Sequence, residues 1–470
     1  MSELRIEETP IPGLLVLHLP VHGDNRGWFK ENWQREKMIA LGLPDFAPIQ
    51  NNMSFNNARG ATRGIHAEPW DKLVSVATGK IFGAWVDLRE GRSFGKVFSI
   101  EMGPETAVFV PRGVGNSYQT LVDATAYSYL VNEHWSAAAR ESYTFLNLAD
   151  ETVAIPWPIP LEQAELSDLD KAHPRLSEVQ PFGPRKSLVI GCKGQVGQEL
   201  MKLLPDADGV DLPEFDLANP DLATMLPWKS YGAIYNAAAF TAVDEAETDT
   251  GRINAWAANV TGVANLVRIA HEHNLPVVHY STDYVFDGTT KVHTEAEQFA
   301  PLGVYGQTKA AGDAVVSTLP RHYIIRTSWV VGGGNNFVKT MASLADRGVC
   351  PSVINDQVGR LTFADDLARA AVHLVRVSAE AGTYNLSCDG DSWSWADIAK
   401  EIFLDRGRTD SDVTAVSTEE YFSFLTAEGQ KVSPRPAQST LDLSRIKATG
   451  FVPRDMVVAL DAYLGTIPRP

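Results

Sequence analysis

Leu188-Val-Ile-Gly-Cys-Lys-Gly-Gln-Val-Gly-Gln-Glu-Leu-Met-Lys-Leu-Leu204 is the stretch that decides the architecture of the second half of the chain. Three apolar residues suited to a buried strand lead into Gly191-x-x-Gly194-x-x-Gly197, and from Gln195 onward the apolar spacing is that of a helix. The glycine pattern alone is a weak signal; a strand before it and a helix after it make it a dinucleotide site. Glycines there let the backbone approach a pyrophosphate, and the helix N-terminus offers free amides and a favourable dipole. Farther along, Ile253, Trp256, Val260, Val263, Val267 and Ala270 recur at helical spacing before the strand-like Pro276-Val-Val-His-Tyr280. This alternation predicts an α/β fold, a Rossmann-like doubly wound parallel sheet, here with a small substrate lobe.

Toward the N-terminus the pattern changes. Up to about residue 155 the chain reads as short strands broken by Gly, Pro and Asn; Phe82, Ala84, Val86 and Leu88 alternate, as do Tyr127, Tyr129 and Val131. Such strands suggest a β-sandwich or small barrel. Between the two patterns, His173 to Pro184 contains three prolines and forbids a continuous helix or central strand. The expected layout is therefore multidomain: 1–176, a linker over 177–185, and 186–470.

The 470 residues exceed one compact core, and 44% hydrophobic with 21% charged residues is an ordinary globular composition. No window approaches the apolar length of a membrane span, the start is acidic and polar, and Cys192, Cys350 and Cys388 are too scattered for a disulfide framework or zinc site. A cytoplasmic protein is expected. A net charge of −17 argues against nucleic acid and anionic membranes as partners, so an anionic substrate needs local cations such as Arg26, Arg63, Lys72 and Arg89.

Two sets of reactive residues stand out. In the first half, His66 lies near Arg63 and Lys72, with Tyr129 and Asp170 farther on. A lone His is more often structural, but this company suits proton transfer beside a carbonyl. In the second half, Tyr305 and Lys309 are four apart and share a helix face, where lysine would favour the phenolate, and Thr282 ends the preceding strand. Asp211 stands equally well as a ligand of an adenosine ribose hydroxyl or as a loop aspartate.

Residues 5–176 resemble the dTDP-4-dehydrorhamnose 3,5-epimerase family through Asp24-Asn-Arg-Gly-Trp-Phe-Lys-Glu31, Gln50-Asn-Asn52, Arg63-Gly-Ile-His66, Lys72-Leu-Val74, Val86-Asp-Leu-Arg89, Val110-Pro-Arg-Gly113 and Leu166-Ser-Asp-Leu-Asp170. The resemblance implies a cupin-like jelly-roll β-sandwich, a homodimer formed through this domain, a His66–Asp170 basic dyad, and Tyr129 facing it across the sugar. Lys72 or Arg63 would stabilise an enolate electrostatically. Arg26, Glu31, Gln50 and Asn52 would contact the sugar nucleotide. The chain departs from the common pattern at Gly83, at Asn116, where a His is frequent, and at Trp135, where a Tyr often stacks on the base; Asn116 and Trp135 are carried as substrate-side positions. A metal-binding cupin would supply His-x-His, whereas here the spacing is His66-x-Glu68, so no metal is expected.

Residues 186 to about 465 resemble dTDP-4-dehydrorhamnose reductase, an extended short-chain dehydrogenase/reductase. The matches are Gly194-Gln-Val-Gly197, Asn236-Ala-Ala-Ala239, Thr241-Ala-Val-Asp-Glu-Ala-Glu247, Ser281-Thr-Asp-Tyr-Val-Phe-Asp-Gly288, Tyr305-Gly-Gln-Thr-Lys309, Arg326-Thr-Ser-Trp329 and Arg435-Pro436; Leu361 replaces a common Pro. The resemblance implies catalysis by Thr282, Tyr305 and Lys309. It implies binding of NADPH or NADH by Gly191, Gly194, Gln195, Val196, Gly197, Asp216, Leu217, Ala237, Ala238, Ala239, Tyr305 and Lys309, with Trp329, Asn336 and Arg435 on the sugar side. The expected substrate is a dTDP-linked 4-keto-6-deoxy sugar, epimerised at C3 and C5 and then reduced at C4 to dTDP-L-rhamnose. Another nucleotide-linked deoxysugar, a C3-only epimerase and a non-catalytic binding subunit stay open, as do NADH against NADPH, the base, channelling and any supporting divalent ion.

Overall fold

The computed structural model describes residues 3–136, 138–427 and 431–469, and the chain divides into two compact units between Pro184 and Arg185. In the first unit, six antiparallel strands lie in the order Arg5–Glu8, Leu15–His18, Thr106–Val110, Lys72–Thr78, Thr125–Val131, Gln50–Asn56. A second antiparallel sheet runs Thr144–Phe145, Thr62–Ala67, Val114–Thr120, Ile81–Asp87, Val97–Met102. Val74, Val108, Trp85, Val114 and Tyr127 from both sheets form one core, as expected for apolar faces packed on each other.

Strand Ile81–Asp87 is buried along its whole length because it is covered twice. Ile81 and Trp85 point at the other sheet, while Phe82, Ala84 and Val86, which alternate in the sequence, pack with Leu88 against Leu146, Leu148, Ile155 and Leu176. The alternation thus marks the face covered by the segment that follows the strands. That segment also corrects the expected linker. Val179 joins this core, Phe182 accepts from Glu90 N–H and donates to Leu88 O, and the Arg112 guanidinium lies over the Phe182 ring at 4.5 Å. Three prolines forbid a helix or central strand, but not an edge strap.

The second unit is built on six parallel strands in the order Asp208–Val210, Lys186–Ile190, Tyr231–Asn236, Val277–Thr282, His322–Thr327, Gly382–Leu386. Both faces are covered: Leu188, Ile234 and Val277 pack with Val263 and Leu266, and Val189, Tyr235 and Val278 with Leu200, Ala310 and Leu367. The strand order reverses at Lys186–Ile190, and the C-terminal ends of the strands flanking such a reversal leave a crevice. A separate apolar core, with Val338, Met341, Ile398, Phe403 and Leu460, holds a lobe of helices Phe337–Asp346, Trp395–Asp405 and Met456–Leu464. The helical run from Ile253 to Ala270 forms, but a π-helical segment at Ala257–Thr261 interrupts it. Its wider turn rotates the apolar face, so Val263 and Val267 are core while Ile253 stays 69% exposed. Among the described residues no helix is long and apolar enough to cross a membrane.

Candidate active sites

The first unit encloses a cavity of about 620 Å³ between strands Thr62–Ala67 and Thr125–Val131 and the short helix Asp168–Lys171. Arg63, His66, Glu68, Tyr129, Trp135 and Asp170 all line it. His66 Nε2 lies 3.0 Å from Asp170 Oδ1, although 104 residues separate them. Ser167 caps the helix by accepting from Asp170 N–H, which fixes the carboxylate's position. Burial pushes Asp170 upward, but the hydrogen bond and charge of His66 outweigh it and hold the carboxyl below its usual range. An ionised Asp170 beside the imidazole is the arrangement a general base requires.

His173 adds a feature the sequence reading missed. Its ring stacks on Phe145 at 4.7 Å and its Nε2 lies 4.0 Å from the same Asp170 oxygen. His66, Asp170 and His173 bring ligand atoms within 4.8 Å of one another, a grouping able to hold a metal ion that the His66-x-Glu68 spacing did not disclose. Asp170-x-x-His173 is the local signal that would have found it.

Tyr129 is pushed above its ordinary pKa by burial and then by the charge of Glu68, so it stays a phenol. Lys72 is buried in an ion pair with Glu68 and sits 6.0 Å from the Tyr129 ring centre, behind the residues lining the cavity. Glu68 offsets its charge, which leaves Arg63, held by Asn56 Oδ1 at 3.1 Å, and Arg140 as the guanidinium groups lining the cavity. Asn52 pairs with Tyr129 and Gln50 with Val131 across neighbouring strands; Gln50 Oε1 also accepts from Trp135 N–H.

Gln50 and Asn52 are not among the residues lining the cavity, and three further expected contacts lie elsewhere. Asn116 is occupied inside the unit, its Oδ1 accepting from Trp85 Nε1 and the Tyr127 hydroxyl. Arg26 pairs with Asp24 on an exposed hairpin, and Glu31 pairs with Lys37 beside a different hollow.

In the second unit a pocket of about 260 Å³ opens at the strand-order reversal, lined by Gly191, Gly194, Asp211, Asp216, Leu217 and Ala237–Ala239 among others. Gly191 adopts φ +80, and a Cβ there would stand 2.6 Å from Ala238 N; a Cβ on Gly197 would meet Gly191 O at 2.0 Å. The loop therefore tolerates no side chain at either place. The first-turn amides of helix Gln195–Leu203, including that of Val196, point out of the helix end unused by its own ladder. These features fit a dinucleotide. The Gln195 side chain turns away and packs against Gly332. Asp211 accepts from Lys193 N–H and Leu212 N–H while lining the pocket.

Thr282, at the end of strand Val277–Thr282, donates to Asp283 Oδ1, and buried Tyr305 and Lys309 lie on helix Val304–Val316. Burial pushes Asp283 up to about 6, and burial followed by the Asp283 charge pushes Tyr305 well above its usual value. Lys309 Nζ donates to Tyr280 O at 2.6 Å and faces His279 Nε2 at 3.3 Å, and the upward shift of Tyr305 favours its protonated phenol. Trp329 stacks on Trp395 at 3.8 Å. Asn336 is used as a helix cap, accepting from Lys339 N–H and donating to Tyr463 Oη, and Arg435 is held by Asp244 at 2.8 Å. Arg435, a five-donor group, also donates to Ser433 O at 2.9 Å.

Residues 8–178 match the family model described as dTDP-4-dehydrorhamnose 3,5-epimerase, and residues 185–467 match the RmlD substrate binding domain. The RmlC homolog of Streptococcus pyogenes is 50% identical over 180 residues, 37% of this chain and 90% of that protein. The dTDP-4-dehydrorhamnose reductase of Aggregatibacter actinomycetemcomitans is 36% identical over 290 residues, 58% of this chain and 96% of that one. The chain belongs to both families. A crystal structure of dTDP-4-dehydrorhamnose reductase from Bacillus anthracis in complex with NADP is 30% identical to the RmlD-family unit, with a TM-score of 0.54, covering 60% of this chain and 99% of that one. The cavity with His66 thus belongs to the RmlC-family unit, and the glycine loop with Tyr305 to the RmlD-family unit.

Proposed function

We propose that the chain carries out two consecutive steps: 3,5-epimerisation of dTDP-4-dehydro-6-deoxy-D-glucose, then NAD(P)H-dependent reduction of the C4 ketone to dTDP-L-rhamnose. The observation that carries this reading is the assembly of both reacting sets in one chain, a His66–Asp170 dyad in a cavity and a glycine-loop pocket in a unit that also holds Thr282, Tyr305 and Lys309. The two-sheet unit is a cupin-like jelly roll, and the parallel sheet with its lobe is Rossmann-like.

In the first site His66 removes the proton next to the ketone, with Asp170 supporting the imidazolium, and Arg63 stabilises the enolate oxygen. Tyr129, kept protonated, returns a proton from the other face. In the second site Gly191, Gly194, Gly197, Asp216 and Ala237–Ala239 hold the dinucleotide, which when bound supplies hydride to C4. Tyr305 gives its proton to the C4 oxygen, and the Thr282 hydroxyl orients that oxygen. A neutral phenol is the form this direction needs. The RmlC-family unit forms a homodimer: Trp28, Phe29, Met53 and Phe55 are exposed on its surface, Phe29 and Met53 at 66%.

Incubation with the 4-keto substrate and NADPH or NADH in D2O tests the reading. The expected product is dTDP-L-rhamnose with deuterium at C3 and C5; deuterium at C3 alone makes the first site a C3-epimerase, and no cofactor oxidation removes the reductase assignment.

A further inference from the structure

His173 takes no part in the epimerisation written above, yet it stands at the dyad. It follows Asp170 by three residues, just past helix Asp168–Lys171, and both side chains come close to His66 on strand Thr62–Ala67. Its imidazole packs between Phe145, stacked at 4.7 Å, and the His66 ring, edge-on at 5.4 Å. The backbone around it is fixed: Asn147 Nδ2 donates to Lys171 O and to His173 O, each at 2.9 Å, and Ser167 caps the helix.

Three donor atoms therefore converge from two anchored segments. His66 Nε2 is 3.0 Å and His173 Nε2 4.0 Å from Asp170 Oδ1, and one donor atom from each residue lies within 4.8 Å of the other two. The second distance is too wide for a hydrogen bond, although the His173 side chain is 9% exposed. A nitrogen nearly shut off from water, facing a carboxylate across such a gap, suits an ion better than a proton. Zinc lies about 2.0–2.2 Å from imidazole nitrogen and carboxylate oxygen, which at tetrahedral angles sets the donors about 3.3 Å apart; side-chain shifts of under about 1 Å reach that spacing. Two imidazoles and a carboxylate also favour Zn2+ over Mg2+ or Ca2+, which take oxygen ligands.

We propose that His66, Asp170 and His173 form an inhibitory Zn2+ site: the ion takes the His66 lone pair that removes the substrate proton, so metal binding and epimerisation exclude one another. The ion is no part of the reaction; it stops it. The site differs from that of a metal-binding cupin, for which His66-x-Glu68 lacks a second histidine, because the second imidazole comes here from beyond the strands. Binding rests on the geometry alone, and inhibition rests on the epimerase reading above. The wider field gives the ion little help: Arg63, Arg140 and Glu165 all line the cavity, and Glu68 is paired with Lys72. Affinity must come from direct ligation, so the loss of one ligand is felt sharply.

The test uses the full chain, treated with EDTA and desalted. Zn2+ is titrated into the deuterium-entry assay with the 4-keto substrate and no dinucleotide, and Co2+ binding is followed separately by visible absorption. Zn2+ is expected to halt deuterium entry at C3 and C5, and EDTA to restore it. In His173→Phe, whose ring keeps the stack on Phe145, half-inhibition is expected to need at least about tenfold more Zn2+, since even an outer partner of a metal ligand is worth about 10- to 100-fold. An active parent that Zn2+ does not inhibit overturns the proposal, as does equal sensitivity in parent and variant. If His173→Phe folds without activity, the Co2+ band decides: a band lost from the parent to the variant supports the site, and no band in the parent, or equal bands in both, overturns it. Should His173→Phe fail to fold, His173→Leu takes its place in both measurements. A metal-free parent with no deuterium entry strikes the epimerase reading instead, and the Co2+ comparison still scores the site.

Discussion

At the scale of single residues, the dyad makes the sharpest prediction. His66→Ala is expected to lower solvent deuterium entry at C3 and C5 by about 10²- to 10⁴-fold while leaving reduction of a supplied, already epimerised keto-sugar intact; NMR and cofactor absorbance read the two separately. Lys309 makes a second, in stability. Its folded-state value of about 8 lies below the roughly 10.4 of an unfolded chain, so between those values the unfolded state binds more protons and stability rises with pH. Below about 8 the folded protein bears the cost of a buried ammonium. Lys309→Met is therefore expected to be more stable at pH 7 by roughly 1–3 kcal/mol, with a flatter profile from pH 8 to 10, in denaturant melts. The local motifs, His66 after Arg63-Gly-Ile and Tyr305 four before Lys309, could be picked out in the sequence, and the structure puts His66 beside Asp170 and Tyr305 with Lys309 on one helix. The internal partners of Asn116, Asn336 and Arg435 were not legible, because each lies far along the chain or in a cap visible only in three dimensions.

At the scale of elements, the glycine loop is read correctly from sequence because its constraint is backbone contact between neighbours a few residues apart. Gly197→Ala places a methyl against Gly191 O, so the helix must shift off the strand. Dinucleotide affinity is expected to fall at least about tenfold, while deuterium exchange in the first unit is unchanged; fluorescence titration with NADPH checks the first and NMR the second. Asn336→Ala is expected to cost about 1 kcal/mol of thermal stability through the lost cap on helix Phe337–Asp346. The π-helical segment shows where periodicity fails: one wider turn changes which residues face the core, and no glycine or proline within Ala257–Thr261 marks the spot.

At the scale of the whole molecule, the change from strand-rich to alternating pattern was legible because helix and strand periods differ so strongly. The division between Pro184 and Arg185 falls inside the expected linker 177–185, but the packing of residues 179–182 was not legible, since prolines report what a segment cannot form rather than what it packs against. If the keto-sugar passes through solvent, equal amounts of His66→Ala and Tyr305→Phe chains are expected to restore cofactor oxidation when mixed, each supplying the step the other lacks, with a lag that shortens as protein concentration rises. The strap ending in Phe182 bears on how such a polypeptide arises. Because residues 177–182 complete the first fold, two ancestral genes could be spliced at Gly183–Pro184 with no inserted spacer, and trimming the first partner back to residue 176 would strip off part of its own hydrophobic cover.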